Sequence, residues 1–226
     1  MQKALAAALL LIFTLLPIVP EAAASEPIRV GFYPYPGFQN VSGSEYSGYV
    51  YDYLYELRKY THWDYEFVPL TFSQCLDALS RGEIDLLCGI YKTENRTQQF
   101  LFPDSSCGID TLGVYVREDD ERFAYDDVES LQGIRIGLLR GSEEEVYFHT
   151  FCQEHALTVT TAFYDDDQAL CSALTNGEVD ALISSNIHQI ENVRPVANFA
   201  FHSFYFVTNK MRKDVLVELN DGLNHL

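Results

Sequence analysis

One arginine and one Gly-Ser pair have the residue types and positions that suit the binding of a carboxylate. Arg96 follows an apolar run typical of a strand, and Gly141-Ser142 follows a second such run at a helix start. A guanidinium group binds a carboxylate through two parallel hydrogen bonds, and backbone N–H groups at a helix start attract anions. Alone, Arg96 also suits a surface ion pair and Gly141-Ser142 ordinary helix capping. Together, at equivalent strand ends, they predict a carboxylate clamp.

The sequence lacks the local patterns on which most catalytic and metal sites depend. No two histidines are one helical turn apart, no cysteine pair has zinc-site spacing, and no Gly-x-Ser-x-Gly turn or phosphate-binding glycine loop is present. The histidines are His62, His149, His155, His188, His202 and His225. We therefore expect no catalysis, no metal and no cofactor.

The five cysteines are odd in number and widely spaced, which is not the pattern of a disulfide scaffold. They are Cys75, Cys88, Cys107, Cys152 and Cys171. A bridge between Cys152 and Cys171 is one interpretation, but their apolar neighbourhoods favour buried free thiols. None follows the N-terminal apolar run closely, so the common lipid-anchoring cysteine is missing.

The N-terminus has the pattern of a secretory signal. Lys3 precedes an apolar run from Ala4 to Leu16, which is shorter than the roughly 20 residues that span a bilayer. Small residues at 22–24 then predict cleavage after Ala24. We expect a signal peptide at 1–24 and a mature chain secreted across the cytoplasmic membrane, in the periplasm or at the cell surface.

Composition predicts a folded chain that avoids nucleic acid. The 226 residues are 47% hydrophobic, which is ample for a packed core, and the formal net charge is -18. Such an acidic chain repels phosphate backbones, and no basic stripe compensates.

Two half-chains repeat one plan. Residues 78–87 (ALSRGEIDLL) match 173–182 (ALTNGEVDAL), and upstream of each copy 28–31 (IRVG) matches 134–137 (IRIG). Self-similarity at such spacing indicates duplicated structural units.

Each copy has the pattern of a strand-helix-strand unit. In the first, we expect a strand at 29–32, a helix at 49–60, a short helix capped by Ser73 and ended by Gly82, and a strand at 84–90. In the second, acidic residues at 165–167 favour a helix start, Leu170 and Leu174 face inward, Gly177 ends the helix, and a strand follows at 179–183. The fold class is α/β, with two lobes that each hold a small, mostly parallel sheet flanked by helices.

Two crossings are expected between the lobes, forming a hinge. A strand at 111–116 leaves the first lobe, and a second, at 199–208, returns after Pro195. We assign 25–116 to lobe 1, 117–198 to lobe 2 and 199–226 to the return into lobe 1. Leu216 and Leu219 begin a helix that the chain end interrupts, so we expect a longer natural chain.

Ligands of open parallel sheets bind beyond the carboxyl ends of the strands. This rule nominates four loops, at 33–39, 89–96, 139–143 and 183–186. In the first, Tyr35 and Phe38 stand among prolines and glycine as a stiff aromatic wall, although simple loop packing also suits them.

With these motifs in order, the chain resembles the extracellular solute-binding protein family 3, the amino-acid-type branch of the type II periplasmic-binding-protein fold. The segments that carry the resemblance are 28–31, 35–38, 48–52, 79–85, 93–96, 102–103, 131–133, 141–142 and 177–180. The resemblance implies that Arg96 holds a ligand carboxylate, that Gly141-Ser142 completes the clamp, and that Tyr35 and Phe72 stack on the ligand.

The chain departs from the family pattern at three ligand positions. Tyr91 stands where the family commonly has Ser or Thr, Glu143 follows the Gly-Ser pair, and Ser185 replaces an acid that takes the ligand's amino group. An ordinary α-amino acid is thus one interpretation and a related carboxylate another. The predicted ligand-binding residues are Tyr35, Phe38, Phe72, Gly89, Tyr91, Thr93, Arg96, Gly141, Ser142, Glu143 and Ser185.

The resemblance implies binding of a small polar solute by cleft closure, for transport or sensing. The partner is then either an ABC-type permease or signalling domains on the same longer chain. The alternative class is an enzyme, because solute-binding-like domains also occur beside lytic transglycosylase and dehydratase chemistry.

Overall fold

The computed structural model describes residues 26–226, so the predicted signal peptide lies outside the described residues. In chain order, the elements are β1 (Ile28–Phe32), β2 (Asn40–Ser42), β3 (Glu45–Ser47), α1 (Tyr49–Thr61), β4 (Tyr65–Pro69), α2 (Phe72–Arg81), β5 (Leu86–Tyr91), α3 (Glu94–Gln99), β6 (Phe100–Leu101), β7 (Gly108–Arg117), a 3-10 turn (Val128–Leu131), β8 (Arg135–Leu139), α4 (Glu144–Glu154), β9 (Thr160–Tyr164), α5 (Asp167–Thr175), β10 (Ala181–Ser185), β11 (Val193–Asn209) and α6 (Lys213–Leu223).

The predicted duplication is confirmed by the strand order β4-β1-β5-β11-β7-β10-β8-β9. Strands β4, β1 and β5 are parallel in one half, and β9, β8 and β10 are parallel in the other. In both halves the first strand of the unit lies between the second and the third. The same plan is therefore built twice, once on each side of the central pair β7 and β11.

An aspartate at the same position in each copy explains the two matched motifs. In the first copy, the Asp85 carboxylate accepts a hydrogen bond from the backbone N–H of Arg29 at 3.0 Å. The backbone N–H of Asp85 donates a hydrogen bond to the Arg29 carbonyl at 2.8 Å. In the second copy, Asp180 makes the same two bonds with Arg135, at 2.9 and 2.8 Å. The motif Gly-Glu-Ile/Val-Asp thus fastens the start of one strand to the start of its parallel neighbour.

The helix signals are largely confirmed, with one correction. Gly82 ends α2 in the left-handed conformation, and Asp166 caps α5 through the N–H of Ala169. The N-cap of α2 is Thr71, not Ser73, because Thr71 and Gln74 form a reciprocal capping box. α6 ends at Leu223, and the expectation of a longer natural chain stays a prediction.

The crossing segments are themselves long strands. β7 and β11 pair antiparallel from Val193 opposite Arg117 to Phe204 opposite Gly108. β11 also pairs with β5, and β7 with β10, so the hydrogen-bonded ladder runs from one half to the other. The two-lobed α/β fold is as predicted, but the lobes share this ribbon. The lobe boundaries at 116 and 198, which fall at the end of β7 and within β11, stay predictions.

The apolar core does not divide cleanly between the lobes. One cluster extends from Phe32 in lobe 1 to Leu170 in lobe 2, and a second includes Ile136 and Phe148. All five cysteines are free thiols, and only Cys171 is half-exposed rather than buried. Within residues 26–226, no helix is long and apolar enough to cross a membrane.

Candidate functional site

A pocket lies where the two halves meet, beyond the carboxyl ends of β1, β5, β8 and β10. All four loops nominated from the sequence contribute to it. The lining residues are Tyr33, Tyr35, Phe38, Phe72, Gly89, Tyr91, Arg96, Asp110, Leu139, Ser142, Glu143, Glu144, Ser185, Ile187 and Phe204. Of the predicted residues, all but Thr93 and Gly141 line the pocket directly. Those two instead contact Arg96.

Arg96 is held between the lobes. Thr93 caps α3, because its Oγ1 accepts a hydrogen bond from the backbone N–H of Arg96 at 3.3 Å. Arg96 Nη2 donates a hydrogen bond to the Gly141 carbonyl at 3.3 Å. Arg96 Nε lies 3.2 Å from Glu143 Oε1, with both side chains largely buried. Burial lowers the pKa of Arg96, and Glu143 opposes that effect. In this structure, Glu143 therefore occupies the position of an acidic partner on the predicted carboxylate clamp.

Tyr35 connects the two sides of the cleft. Its loop follows β1, and its hydroxyl lies 2.9 Å from Ser184 Oγ and 3.4 Å from Ser185 Oγ at the end of β10. Its ring stacks on His188 with a centroid separation of 3.9 Å. The cleft is thus seen in a closed arrangement, with lobe 1 and lobe 2 in direct contact.

The aromatic wall consists of more rings than the sequence analysis assigned. Phe72 packs edge to face on Tyr33, and Phe38 packs edge to face on Phe204. Gly89 has a φ of 87°, and a Cβ there would lie 2.3 Å from the Tyr33 hydroxyl. Only glycine therefore lets the backbone of β5 approach these rings.

Asp110 is the main residue that sequence reasoning missed. It is 4% exposed, lies on β7, and accepts a hydrogen bond from the Tyr91 hydroxyl at 2.7 Å. Within residues 26–226, its other oxygen, Oδ1, has no hydrogen-bond partner. Burial raises the pKa of Asp110 to about 6, against the lowering effect of the Tyr91 hydrogen bond. The available signal was a lone acid inside an otherwise apolar strand pattern.

Glu144 is a second missed carboxyl group. It is 8% exposed, and Ser142 Oγ lies 3.2 Å from its Oε2. Burial raises the pKa of Glu144 to about 8, so this group is protonated at neutral pH. Its neighbours Glu143 and Glu145 are also acidic, and the sequence alone gives no reason to single it out.

Comparisons with known proteins identify the family of the chain. A family model for bacterial extracellular solute-binding proteins, family 3, matches residues 28–226. The chain belongs to this family. The histidine-binding periplasmic protein of Escherichia coli strain K12 is 29% identical over 171 residues, which are 74% of this chain and 63% of that protein. That of Salmonella typhimurium strain LT2 is 28% identical over an equal length. The matched part of the family 3 chain thus spans less than two thirds of the length of these curated relatives.

Solved structures confirm the type II periplasmic-binding-protein fold of the family 3 chain. An ancestral arginine-binding protein bound to arginine has a TM-score of 0.76 and 22% identity, covering 88% of this chain and 91% of that chain. A histidine kinase sensor domain with similarity to periplasmic binding proteins has a TM-score of 0.73 and 20% identity, covering 88% and 90%.

Proposed function

We propose that the pocket binds a small amino-acid-type solute that carries a carboxylate and at least one positive charge. The observation that carries this proposal is Asp110, a buried carboxylate with one unpartnered oxygen in the same pocket as Arg96. A buried carboxylate oxygen without a partner is costly, and a ligand ammonium group would satisfy it. Arg96 would hold the ligand carboxylate.

Asp110 offers a substitute for the acid that the family places at Ser185. β10 and β7 are hydrogen-bonded neighbours, with Ser185 opposite Leu112, and Ser185 lies next to Asp110. The acid is thereby displaced from one strand to the adjacent strand. It still faces the pocket, so the amino group of the ligand keeps an anionic partner.

The charge balance of the pocket favours a cationic ligand over a neutral one. Arg96 faces Asp110 and Glu143, while Glu144 is protonated near neutral pH. The ionised groups therefore leave one negative charge for the ligand to offset. Similar proteins are named for histidine and arginine, which supports this class.

Ligand entry requires movement. The free volume that water can enter is about 50 Å³, far below the roughly 300–1,000 Å³ of ordinary ligand pockets. Either the lobes separate or Glu143 leaves Arg96. A ligand that touches both lobes then favours closure through its extra contacts.

A thermal-shift screen tests this proposal. We expect basic amino acids and their close relatives to raise the melting temperature most, because their positive charge offsets the negative charge of the pocket. A ligand at 100 times its Kd stabilises the fold by about 2.7 kcal/mol. Neutral and acidic amino acids, short peptides and polyamines complete the panel. A folded protein that none of these compounds stabilises would contradict a binding role, and preference for an acidic ligand would contradict the cationic class.

The pH dependence of binding tests the role of Asp110. Because its pKa is about 6, Asp110 is largely protonated at pH 5 and ionised at pH 7.5. We expect the affinity for the cationic ligand found in the screen to rise over this interval. Asp110→Asn should weaken binding at pH 7.5 and flatten the profile, while the exposed Asp104→Asn should leave both unchanged. Calorimetry at the two pH values measures this, and a wild-type profile in Asp110→Asn would exclude Asp110 as the amino-group partner.

We further propose that the bound solute is delivered to an ABC-type permease. Support comes from the periplasmic binding proteins among the relatives. Sensing is the second candidate, supported by the likeness to a histidine kinase sensor domain. Loss of solute uptake in a deletion strain supports delivery, whereas normal uptake with a lost transcriptional response supports sensing.

A further inference from the structure

Three potential metal ligands meet behind the pocket wall, where none of them lines the pocket. Asp167 begins α5, Cys171 follows one helical turn later, and His188 lies in the loop after β10. Asp167 and His188 are over nine-tenths buried, and Cys171 is half-buried. One ligand atom from each residue lies within 4.8 Å of the other two.

Two of the three separations between the ligand atoms suit a tetrahedral metal ion. His188 Nε2 lies 3.2 Å from Asp167 Oδ2, and Cys171 Sγ lies 3.8 Å from the same oxygen. Zinc bonds of about 2.0–2.3 Å at tetrahedral angles separate neighbouring ligand atoms by roughly 3.3–3.8 Å. A thiolate, an imidazole and a carboxylate are the three protein ligands that zinc accepts, and a fourth position stays open.

The imidazole also has an outer partner of the kind found at metal sites. Ser184 Oγ lies 2.7 Å from His188 Nδ1 and so fixes the ring with Nε2 directed at Asp167. Metal-bound histidines nearly always make such a bond through their second nitrogen. Within residues 26–226, no lysine or arginine forms an ion pair with Asp167, so its buried charge lacks a fixed cation.

We propose that Asp167, Cys171 and His188 bind Zn²⁺ within lobe 2 and thereby fix the His188 ring beside the cleft. The zinc-bound His188 ring would present a fixed face to Tyr35, which stacks on it at 3.9 Å from the opposite lobe. The expectation of no metal rested on local spacing. It missed this cluster because His188 is distant in sequence from the Asp-Cys pair.

Metal titration of the purified chain, independent of any ligand, tests the site. After chelator treatment and dialysis, the wild type should bind one equivalent of Zn²⁺. Co²⁺ in its place should give a thiolate-to-metal charge-transfer band. Cys171→Ser should abolish the band, and His188→Gln and Asp167→Asn should each weaken Zn²⁺ binding at least tenfold. Cys152→Ser removes a thiol of the same lobe that is not part of the cluster, and this variant should bind metal as the wild type does.

Two outcomes would overturn the site. One is a wild type that binds no stoichiometric Zn²⁺ or Co²⁺, which would make the cluster a hydrogen-bond network only. The other is a band that persists in Cys171→Ser or affinity that persists in Asp167→Asn. Circular dichroism of each variant without metal separates lost ligation from lost folding. If Cys171→Ser does not fold, the Asp167→Asn affinity decides the question.

A second pair of cysteines carries an independent inference. The Sγ atoms of Cys88 and Cys107 lie 3.5 Å apart in the lobe 1 core. We infer that they form a disulfide under oxidising conditions. Both thiols lose a proton and together they give two electrons to glutathione disulfide, which leaves as two glutathione thiols. The bridge would close the segment that carries Thr93 and Arg96.

Intact mass spectrometry and peptide mapping test the bridge. After refolding with glutathione disulfide, the protein should lose the mass of two hydrogens, and a peptide should link Cys88 to Cys107. Reduction should lower the melting temperature of the wild type and of Cys75→Ser, but not of Cys88→Ser/Cys107→Ser. Alkylation of both cysteines without prior reduction, in the unfolded oxidised sample, would overturn the assignment.

Discussion

Arg96→Ala should weaken ligand binding by roughly 2 to 5 kcal/mol, a loss of about 30-fold to several thousand-fold. The Arg96 side chain is 5% exposed. A ligand carboxylate would therefore lose its charge partner in a buried site, where water cannot take the place of the guanidinium group. The same substitution removes the partner that lies 3.2 Å from Glu143. The unpaired Glu143 carboxylate then repels the incoming ligand carboxylate. Both effects have the same sign.

Two companion variants separate geometry from charge. Arg96→Lys should recover only part of the loss, because an ammonium group cannot reproduce the planar two-bond contact of a guanidinium. Glu143→Gln should weaken a cationic ligand but strengthen a purely anionic one, since it removes the acid that competes for Arg96. Arg140→Ala is the matched control, because that arginine directly precedes Gly141-Ser142 but pairs with Asp165 on the surface.

Isothermal titration calorimetry on the wild type and these variants measures the effect. Each variant also needs an unfolding curve, because Arg96 contacts Gly141 and Glu143 in the structure. A folded Arg96→Ala protein that binds as tightly as the wild type would remove the carboxylate clamp. A large loss in Arg140→Ala would show that the effect is not specific to the pocket.

Sequence patterns predicted the loops of the site because the strand-end rule depends on topology alone. Once 28–31 and 134–137 were matched, the parallel strands and their carboxyl ends followed, and with them Tyr35, Gly89 and Arg96. The N-cap of α2 was misplaced by two residues because Thr71 and Ser73 both carry hydroxyls. Gln74 at the third helical position decides for Thr71.

Asp110 could not be predicted in the same way. It belongs to a crossing strand, and its place in the pocket depends on the antiparallel pairing of β7 with β10. No local pattern fixes that register. The meeting of Cys171 with His188 likewise depends on how the loop after β10 folds back over α5. Contacts between elements that are distant in sequence are therefore the part of the site that only the structure gives.

Asp85→Ala should lower the free energy of unfolding by about 2–4 kcal/mol. Asp85 is 2% exposed and accepts hydrogen bonds from the backbone and side chain of Arg29, and it also pairs with Arg212. Removing it leaves a strand-start N–H unsatisfied and two arginines without their shared partner. Both arginines are one-third exposed, so water solvates them and limits the loss.

The pH dependence of this loss has a definite sign. Burial raises the pKa of Asp85, but the Arg29 hydrogen bonds outweigh burial, and the pKa lies below the ordinary 3.8. A depressed carboxyl pKa stabilises the fold above the unfolded-state value and ceases to do so as the pH falls through the folded-state value. Urea unfolding at pH 7 should therefore show the full difference between wild type and Asp85→Ala, which should shrink below pH 3.8.

The internal duplication supplies the matched control for this prediction. Asp180 makes the equivalent backbone bonds to Arg135, but its side chain is 30% exposed and its ionic partner Arg122 is 54% exposed. Asp180→Ala should therefore cost about 1 kcal/mol, because solvent screens the pair and can reach the freed N–H. Equal losses in the two variants would show that the backbone bonds dominate. A larger loss in Asp180→Ala would contradict burial as the reason for the difference.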